Sequence, residues 1–157
     1  MISAPQQRTL RIIHDGLQET KVVWAITGSL GFALHGMKVE INDIDLQTDA
    51  NGAYEIENAF IENVVRRVRF SVSDNIASHW GELKIEGVKV EIIGALQKKL
   101  PNGAWESPVE VERYREFVSF ECMKLPVLSL KYEEQAYRQL GRTEKADQIK
   151  EWLNRYN

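Results

Sequence analysis

Cysteine is almost missing from this chain of 157 residues, which contains only Cys122. A single cysteine cannot form an internal disulfide, and the three histidines are isolated, so no Cys/His cluster has the spacing of a zinc site. A disulfide-stapled fold and a zinc domain are therefore excluded. We expect Cys122 to be a small core or strand residue.

Long hydrophobic runs are missing as well. No apolar stretch approaches the roughly 20 residues that a membrane-spanning helix needs. Residues 1–5 also lack the charged-then-apolar pattern of a signal peptide. These absences predict a cytoplasmic protein with no membrane association.

The chain has no surplus of basic residues: its formal net charge is -3, and its lysines and arginines are scattered. A surface that binds extended nucleic acid needs a basic face. We therefore expect no such surface, and a toxin that modifies RNA ends is the less favoured function. A nucleotide bound through a metal ion stays compatible with this charge.

With 43% hydrophobic and 27% charged residues, the chain has the composition of one globular domain, which we place over residues 1–157. Hydrophobic periodicity predicts both helices and strands. Helices are predicted over residues 5–19, 30–35, 54–65, 129–140 and 143–156, and strands over 21–26, 41–47, 68–73, 80–85 and 88–93. Residues 96–105 read as a loop with some helical turn, and 117–125 as a small edge hairpin.

The predicted strand at 41–47 is unusual because it contains Asp43 and Asp45, and aspartate is depleted in strands. The period of two puts both carboxylates on one face, separated by roughly 7 Å along the backbone. Glu91 is a third carboxylate in an otherwise apolar strand. A hard divalent ion such as Mg2+ prefers carboxylate oxygens and keeps positions open for phosphate. The sequence therefore predicts a cation site built by these carboxylates.

The Gly28-Ser29 pair, the Asp43-Ile44-Asp45 triplet, Glu91 and the segment 131–147 together resemble the nucleotidyltransferase superfamily of DNA polymerase β type. They are similar to minimal nucleotidyltransferases, lincosamide nucleotidyltransferases and the nucleotidyltransferase-like toxins of abortive-infection systems. The resemblance implies an α+β fold: a mixed β-sheet with packed helices, a core at about 22–95 and a C-terminal helical pair at about 129–156.

This resemblance also implies an activity, the transfer of a nucleoside monophosphate from a nucleoside triphosphate such as ATP to a hydroxyl of a small molecule or protein. Asp43 and Asp45 would hold two Mg2+ ions, with Mn2+ as an alternative, and Glu91 would share one ion and help to deprotonate the acceptor. The third position is commonly Asp rather than Glu in relatives. The residues carried over to the nucleotide are Thr27, Gly28, Ser29 and Lys131.

Simpler interpretations remain open for the same residues. Asp43 could sit in a turn, Asp45 could lie on an exposed sheet face paired with Lys or Arg, and Lys131 could be solvated. The fold could also be catalytically silent and act as a partner in a toxin-antitoxin pair or as a homodimer. The metal interpretation requires that the carboxylates share one face and that no basic side chain already neutralises them.

Overall fold

A computed structural model describes residues 1–156, and over these it contains six α-helices and seven strands. The helices are α1 Ala4–Leu17, α2 Gly28–Leu34, α3 Ala50–Ala59, α4 Val111–Tyr114, α5 Leu130–Gln139 and α6 Thr143–Tyr156. The strands are β1 Trp24–Thr27, β2 Ile44–Thr48, β3 Val64–Val72, β4 Ile76–Ile85, β5 Val88–Lys98, β6 Arg115–Phe120 and β7 Met123–Leu128. The predicted α+β class, with a pair of helices following the sheet in sequence, is confirmed.

The strands form one mixed sheet in the order β3-β4-β5-β2-β1-β7-β6. Two neighbouring pairs are parallel, β2 with β5 and β1 with β7, and the other pairs are antiparallel. β1 and β2 therefore lie in the interior of the sheet. All four residues of β1 are buried, as its continuous apolar run predicts.

The two faces of the sheet are covered by different elements. Ile26, Ile44 and Leu46 point to one face, where they form the main core with residues of α1 and α3. On the other face Ala25 packs with Val111 of α4, and Tyr132 of α5 lies against the same small cluster. The alternation along β1 and β2 sends Thr27 and Asp45 to this second face.

Several predicted boundaries were wrong. The helix predicted at 54–65 begins earlier, where the Asp49 side chain accepts a hydrogen bond from the Gly52 amide, and it ends at Ala59. Val64 and Val65 instead start β3, in keeping with the strand preference of β-branched residues. The hairpin predicted at 117–125 exists, but only β6 is at the edge, since β7 pairs with β1.

Other local predictions also changed. The loop predicted at 96–105 is partly strand, because β5 continues to Lys98, and the short helix α4 was missed. Cys122 lies exposed in the turn between β6 and β7 with a φ of 65°, so the expectation of a core or strand residue was wrong. No helix in the described part of the chain is both long enough and apolar enough to span a bilayer.

Candidate active site

A row of directly paired residues crosses four neighbouring strands on the second face of the sheet. Asp45 in β2 pairs with Thr27 in β1 and with Glu91 in β5, and Glu91 pairs with Glu82 in β4. Directly paired residues point to the same face and lie side by side. The structure therefore brings Asp45 and Glu91 together, and it adds a carboxylate, Glu82, that sequence reasoning missed.

Asp45 is held against the turn that follows β1. Gly28 has a φ of 71°, and a Cβ added there would lie 2.6 Å from Asp45 Oδ2. Only glycine both adopts this conformation easily and leaves room for the carboxylate. The other oxygen, Asp45 Oδ1, is buried and has no hydrogen-bond partner among residues 1–156. A buried acceptor without a partner is costly, so this oxygen calls for a ligand.

The surroundings of Asp45 favour its neutral form. Burial raises the pKa of the Asp45 carboxyl to about 8, with further contributions from the neighbouring Glu91 carboxyl and from the charges of Asp43 and Glu133. Two neighbouring carboxylates in a partly dry site cannot both ionise easily. The pair therefore needs either a proton or a cation between its oxygens.

Asp43 is placed differently from the prediction. The strand begins at Ile44, not at residue 41, because β1 ends opposite Asp45 and the chain there turns into α2. Asp43 consequently precedes β2, and its side chain is 41% exposed. It still contributes negative charge to the site, as its effect on the pKa of Asp45 shows.

A basic side chain lies among these acids. Lys89 Nζ is 3.6 Å from Glu91 Oε1, 3.8 Å from Asp43 Oδ2 and 3.9 Å from Glu82 Oε1. These are ion-pair distances beyond good hydrogen-bond length, and the Lys89 side chain is 43% exposed. Within residues 1–156 no ion pair reaches Asp45, so Lys89 offsets part of the acidic charge and leaves the half-buried Asp45 carboxyl without a cationic partner.

Glu133 of α5 ties the C-terminal helices to the turn. It is buried, and its Oε2 accepts hydrogen bonds from Thr27 Oγ1 at 2.7 Å and from the Gly28 amide at 3.3 Å. Burial raises the pKa of Glu133 to about 7, although the two donors and the charge of Lys98 act in the opposite direction. A glutamate at a position of the buried stripe, three residues after Leu130, was the signal in the sequence that could have revealed it.

The remaining predicted nucleotide residues divide into two groups. Ser29 stands beside the site, and its Oγ accepts a hydrogen bond from the Asn42 amide at 3.0 Å, which fixes the approach to β2. Lys131 is exposed and precedes Glu133 by two residues, so it projects from about the opposite side of α5. The structure does not bring Lys131 to the carboxylates.

The chemistry of this site suits a hard divalent cation. Every donor is a carboxylate oxygen, and Asp45 Oδ1 is a buried acceptor that lacks a partner among the described residues. In the described part of the chain, no three acidic, histidine or cysteine side chains stand close enough to form a finished metal cage. The type of donor, rather than a finished set of ligands, is therefore what fits such an ion.

A model of the aminoglycoside-2''-adenylyltransferase family matches residues 9–151. The chain belongs to this family. The chain is similar to a solved structure, that of the candidate nucleotidyltransferase TM1012 from Thermotoga maritima. The two sequences are 54% identical, the match covers 99% of this chain and 96% of that chain, and the TM-score is 0.87. The resemblance to nucleotidyltransferases and the fold predicted from it are confirmed.

A second solved structure, the lincosamide antibiotic adenylyltransferase LnuA with lincomycin bound, shares the fold at lower similarity. It is 17% identical, with 91% of this chain and 97% of that chain covered and a TM-score of 0.57. No curated protein matches the chain. The comparisons thus establish a nucleotidyltransferase family and an enzyme fold for this protein.

Proposed function

We propose that this protein is a Mg2+-dependent nucleotidyltransferase that moves a nucleoside monophosphate from a nucleoside triphosphate to a hydroxyl acceptor. The observation that carries the proposal is the buried, unpartnered oxygen of Asp45 beside Glu91. In a protein that binds no cation here, an unpartnered buried carboxylate oxygen would only lower the stability of the fold. In a cation-dependent site, the bound ion would be the missing partner of this oxygen.

In this proposal Asp43, Asp45 and Glu91 hold the metal. When bound, two Mg2+ ions, or Mn2+ in their place, would activate the acceptor oxygen and neutralise the charge on the leaving pyrophosphate. In the pair formed by Asp45 and Glu91, the Glu91 side chain is 24% exposed to solvent. Glu91 is the group that would take the proton of the acceptor hydroxyl. Its exposure gives the acceptor a route to the site.

The turn after β1 would hold the triphosphate. The missing Cβ of Gly28 lets the Asp45 carboxylate lie directly against this turn. The Ser29 hydroxyl keeps its proton available because its oxygen accepts from the Asn42 amide. Thr27 and the Gly28 amide are already bound to Glu133, so they position the turn rather than offer donors. The proposal leaves out Lys131, which projects away from the carboxylates.

The test is transfer of label from ATP carrying a radioactive α-phosphate, in Mg2+, to a panel of hydroxyl compounds. The panel includes aminoglycosides, because of the family name, and lincomycin, because LnuA acts on a lincosamide. We expect Asp45→Asn to lower the transfer rate by at least about a hundredfold. Removal of a group that only supports a metal ligand already costs up to about a hundredfold, and Asp45 would be a ligand itself.

Asp74→Asn is the matched control for this test. Asp74 is exposed in the turn between β3 and β4, so the same chemical change occurs away from the site. Equal transfer by the Asp45→Asn variant and the wild type would refute the assignment of Asp45. Equal loss in both variants would point to a general effect on folding.

A catalytically silent partner protein is the second candidate, and Lys89 is the observation that favours it. An ammonium already placed among Asp43, Glu82 and Glu91 neutralises part of their charge without any metal. This candidate predicts no Mg2+-dependent nucleotide binding in calorimetry. It also predicts a stable complex with another protein, as in a toxin-antitoxin pair, when the neighbouring gene is co-expressed.

A further inference from the structure

The position of Lys89 defines the local charge balance of the acidic site. Its ammonium is within 3.6 to 3.9 Å of three carboxylates from β5, β4 and the segment before β2. Lys89 also precedes Glu91 by two residues in β5, so both side chains leave the same face of the strand. Lys84, which pairs with Lys89 across β4 and β5, is exposed and forms no ion pair within residues 1–156.

We propose that Lys89 is an exchangeable counter-cation: its ammonium holds the outer carboxylates when no metal is bound, and it must leave when a divalent ion binds. This inference rests on the proposed metal site and adds a residue that sets the affinity of that site. The geometry supports exchange because Lys89 is half-exposed and its long side chain can turn to solvent without disturbing the core.

The expected effect follows from simple electrostatics. A charge of +2 at roughly 5 Å from an ammonium in water is repelled enough to weaken binding about tenfold. Removing the ammonium also frees Asp43 and Glu91, which no longer have to give up an ion pair before they reach the metal. Lys89 therefore lowers the affinity for the divalent ion while it stabilises the metal-free protein.

The experiment measures Mn2+ binding to the full chain, without nucleotide, from the paramagnetic resonance signal of free Mn2+. We expect Lys89→Gln to lower the Kd for Mn2+ about tenfold, with a smaller difference at high salt, where the charges are screened. Lys89→Arg keeps the charge and should bind Mn2+ like the wild type. The matched control Lys84→Gln removes the same charge from the neighbouring strand and should change the Kd by no more than about twofold.

A second readout in the same variants is thermal unfolding. In metal-free buffer Lys89→Gln should unfold at a lower temperature than Lys84→Gln, and Mn2+ should remove the difference, because the bound ion replaces the lost ammonium. This measurement also shows that the variant is folded.

The Asp45→Asn variant separates the two proposals. If Mn2+ binding depends on Asp45 and Lys89→Gln leaves the Kd unchanged or raises it, the exchange is refuted and the metal site stands. If Asp45→Asn binds Mn2+ as tightly as the wild type, the proposed metal site is refuted, and the exchange of Lys89 is refuted with it. Tighter binding in Lys89→Gln together with loss in Asp45→Asn supports both.

Discussion

Replacing Gly28 by alanine tests the contact on which the geometry of the site depends. The new Cβ would lie 2.6 Å from Asp45 Oδ2, closer than any unstrained contact, and the residue would keep a φ of 71°. The left-handed conformation alone costs a non-glycine residue about 1–2 kcal/mol. Overpacking against the half-buried Asp45 carboxylate adds about 1–3 kcal/mol. We therefore expect the free energy of unfolding to fall by about 2–5 kcal/mol in Gly28→Ala.

Gly87 provides the matched control. It has a φ of 75°, and a Cβ added there would meet nothing within 4 Å. Gly87→Ala should therefore show only the conformational cost, about 1–2 kcal/mol. The assay is urea unfolding followed by tryptophan fluorescence. The difference between the two variants isolates the contact with Asp45.

The double variant Gly28→Ala/Asp45→Ala completes the argument. Removing the carboxylate should give back most of the overpacking cost, so the two changes should be less destabilising together than the sum of their separate effects. If Gly28→Ala costs no more than Gly87→Ala, or if the changes add, the reasoning that Gly28 is there to make room for Asp45 is refuted.

Three further predictions concern the stability of the metal-free protein, each measured by urea unfolding. The folded-state pKa of Asp45, about 8, is above its ordinary value of 3.8, so the stability it contributes is present below pH 3.8 and is lost as the pH rises through 8. Asp45→Asn cannot ionise and should be more stable than the wild type at pH 9, by on the order of 2 kcal/mol, with Asp74→Asn unchanged. Glu133→Ala leaves two donors without their acceptor and should cost about 2–3 kcal/mol, whereas Glu133→Gln keeps an acceptor and should cost less. Ser29→Ala removes the acceptor for the Asn42 amide and should cost about 1 kcal/mol.

Each of these predictions has a contrary result. The raised pKa of Asp45 predicts that the wild type loses stability between roughly pH 4 and pH 9. A wild type that is equally stable at both ends of this range would contradict the raised pKa of Asp45. Equal stability of Glu133→Ala and Glu133→Gln would show that the hydrogen bonds to the turn contribute little. An unchanged Ser29→Ala would show that the Asn42 amide finds another acceptor, such as water.

The sequence predicted those parts of the fold that depend on periodicity over several residues. The central strand β1 was evident because every residue in it is apolar or small. The two residues between the predicted strands 80–85 and 88–93 are Glu86 and Gly87, and their φ values of 52° and 75° are those of a tight hairpin turn. The end of α3 could not be predicted in the same way. Val64 and Val65 continue the helical spacing of apolar residues, but pairing of β3 with β4 takes them into the sheet.

The site shows the same division between local and tertiary information. Asp45 and Glu91 were recognisable because a carboxylate in an apolar strand is anomalous by itself. Glu82 and Lys89 gave no such signal, since each is an ordinary charged residue in its own strand. Glu133 occupies a position on the buried stripe of α5, but that position does not reveal which groups it would contact. Their place at the site follows from the pairing of β4 with β5 and from the packing of α5 on the turn, which the sequence does not state.

The arrangement around Asp45 lowers the stability of the protein, and a protein selected only for folding would not retain it. Replacing this carboxyl by an amide should stabilise the metal-free chain at high pH, and the same change should abolish cation binding. These two effects have one cause, because the desolvation and repulsion that raise the pKa of Asp45 are what a bound cation would relieve. A variant that became more stable while keeping full Mn2+ affinity would separate the two effects, and the strained carboxyl would then need another explanation.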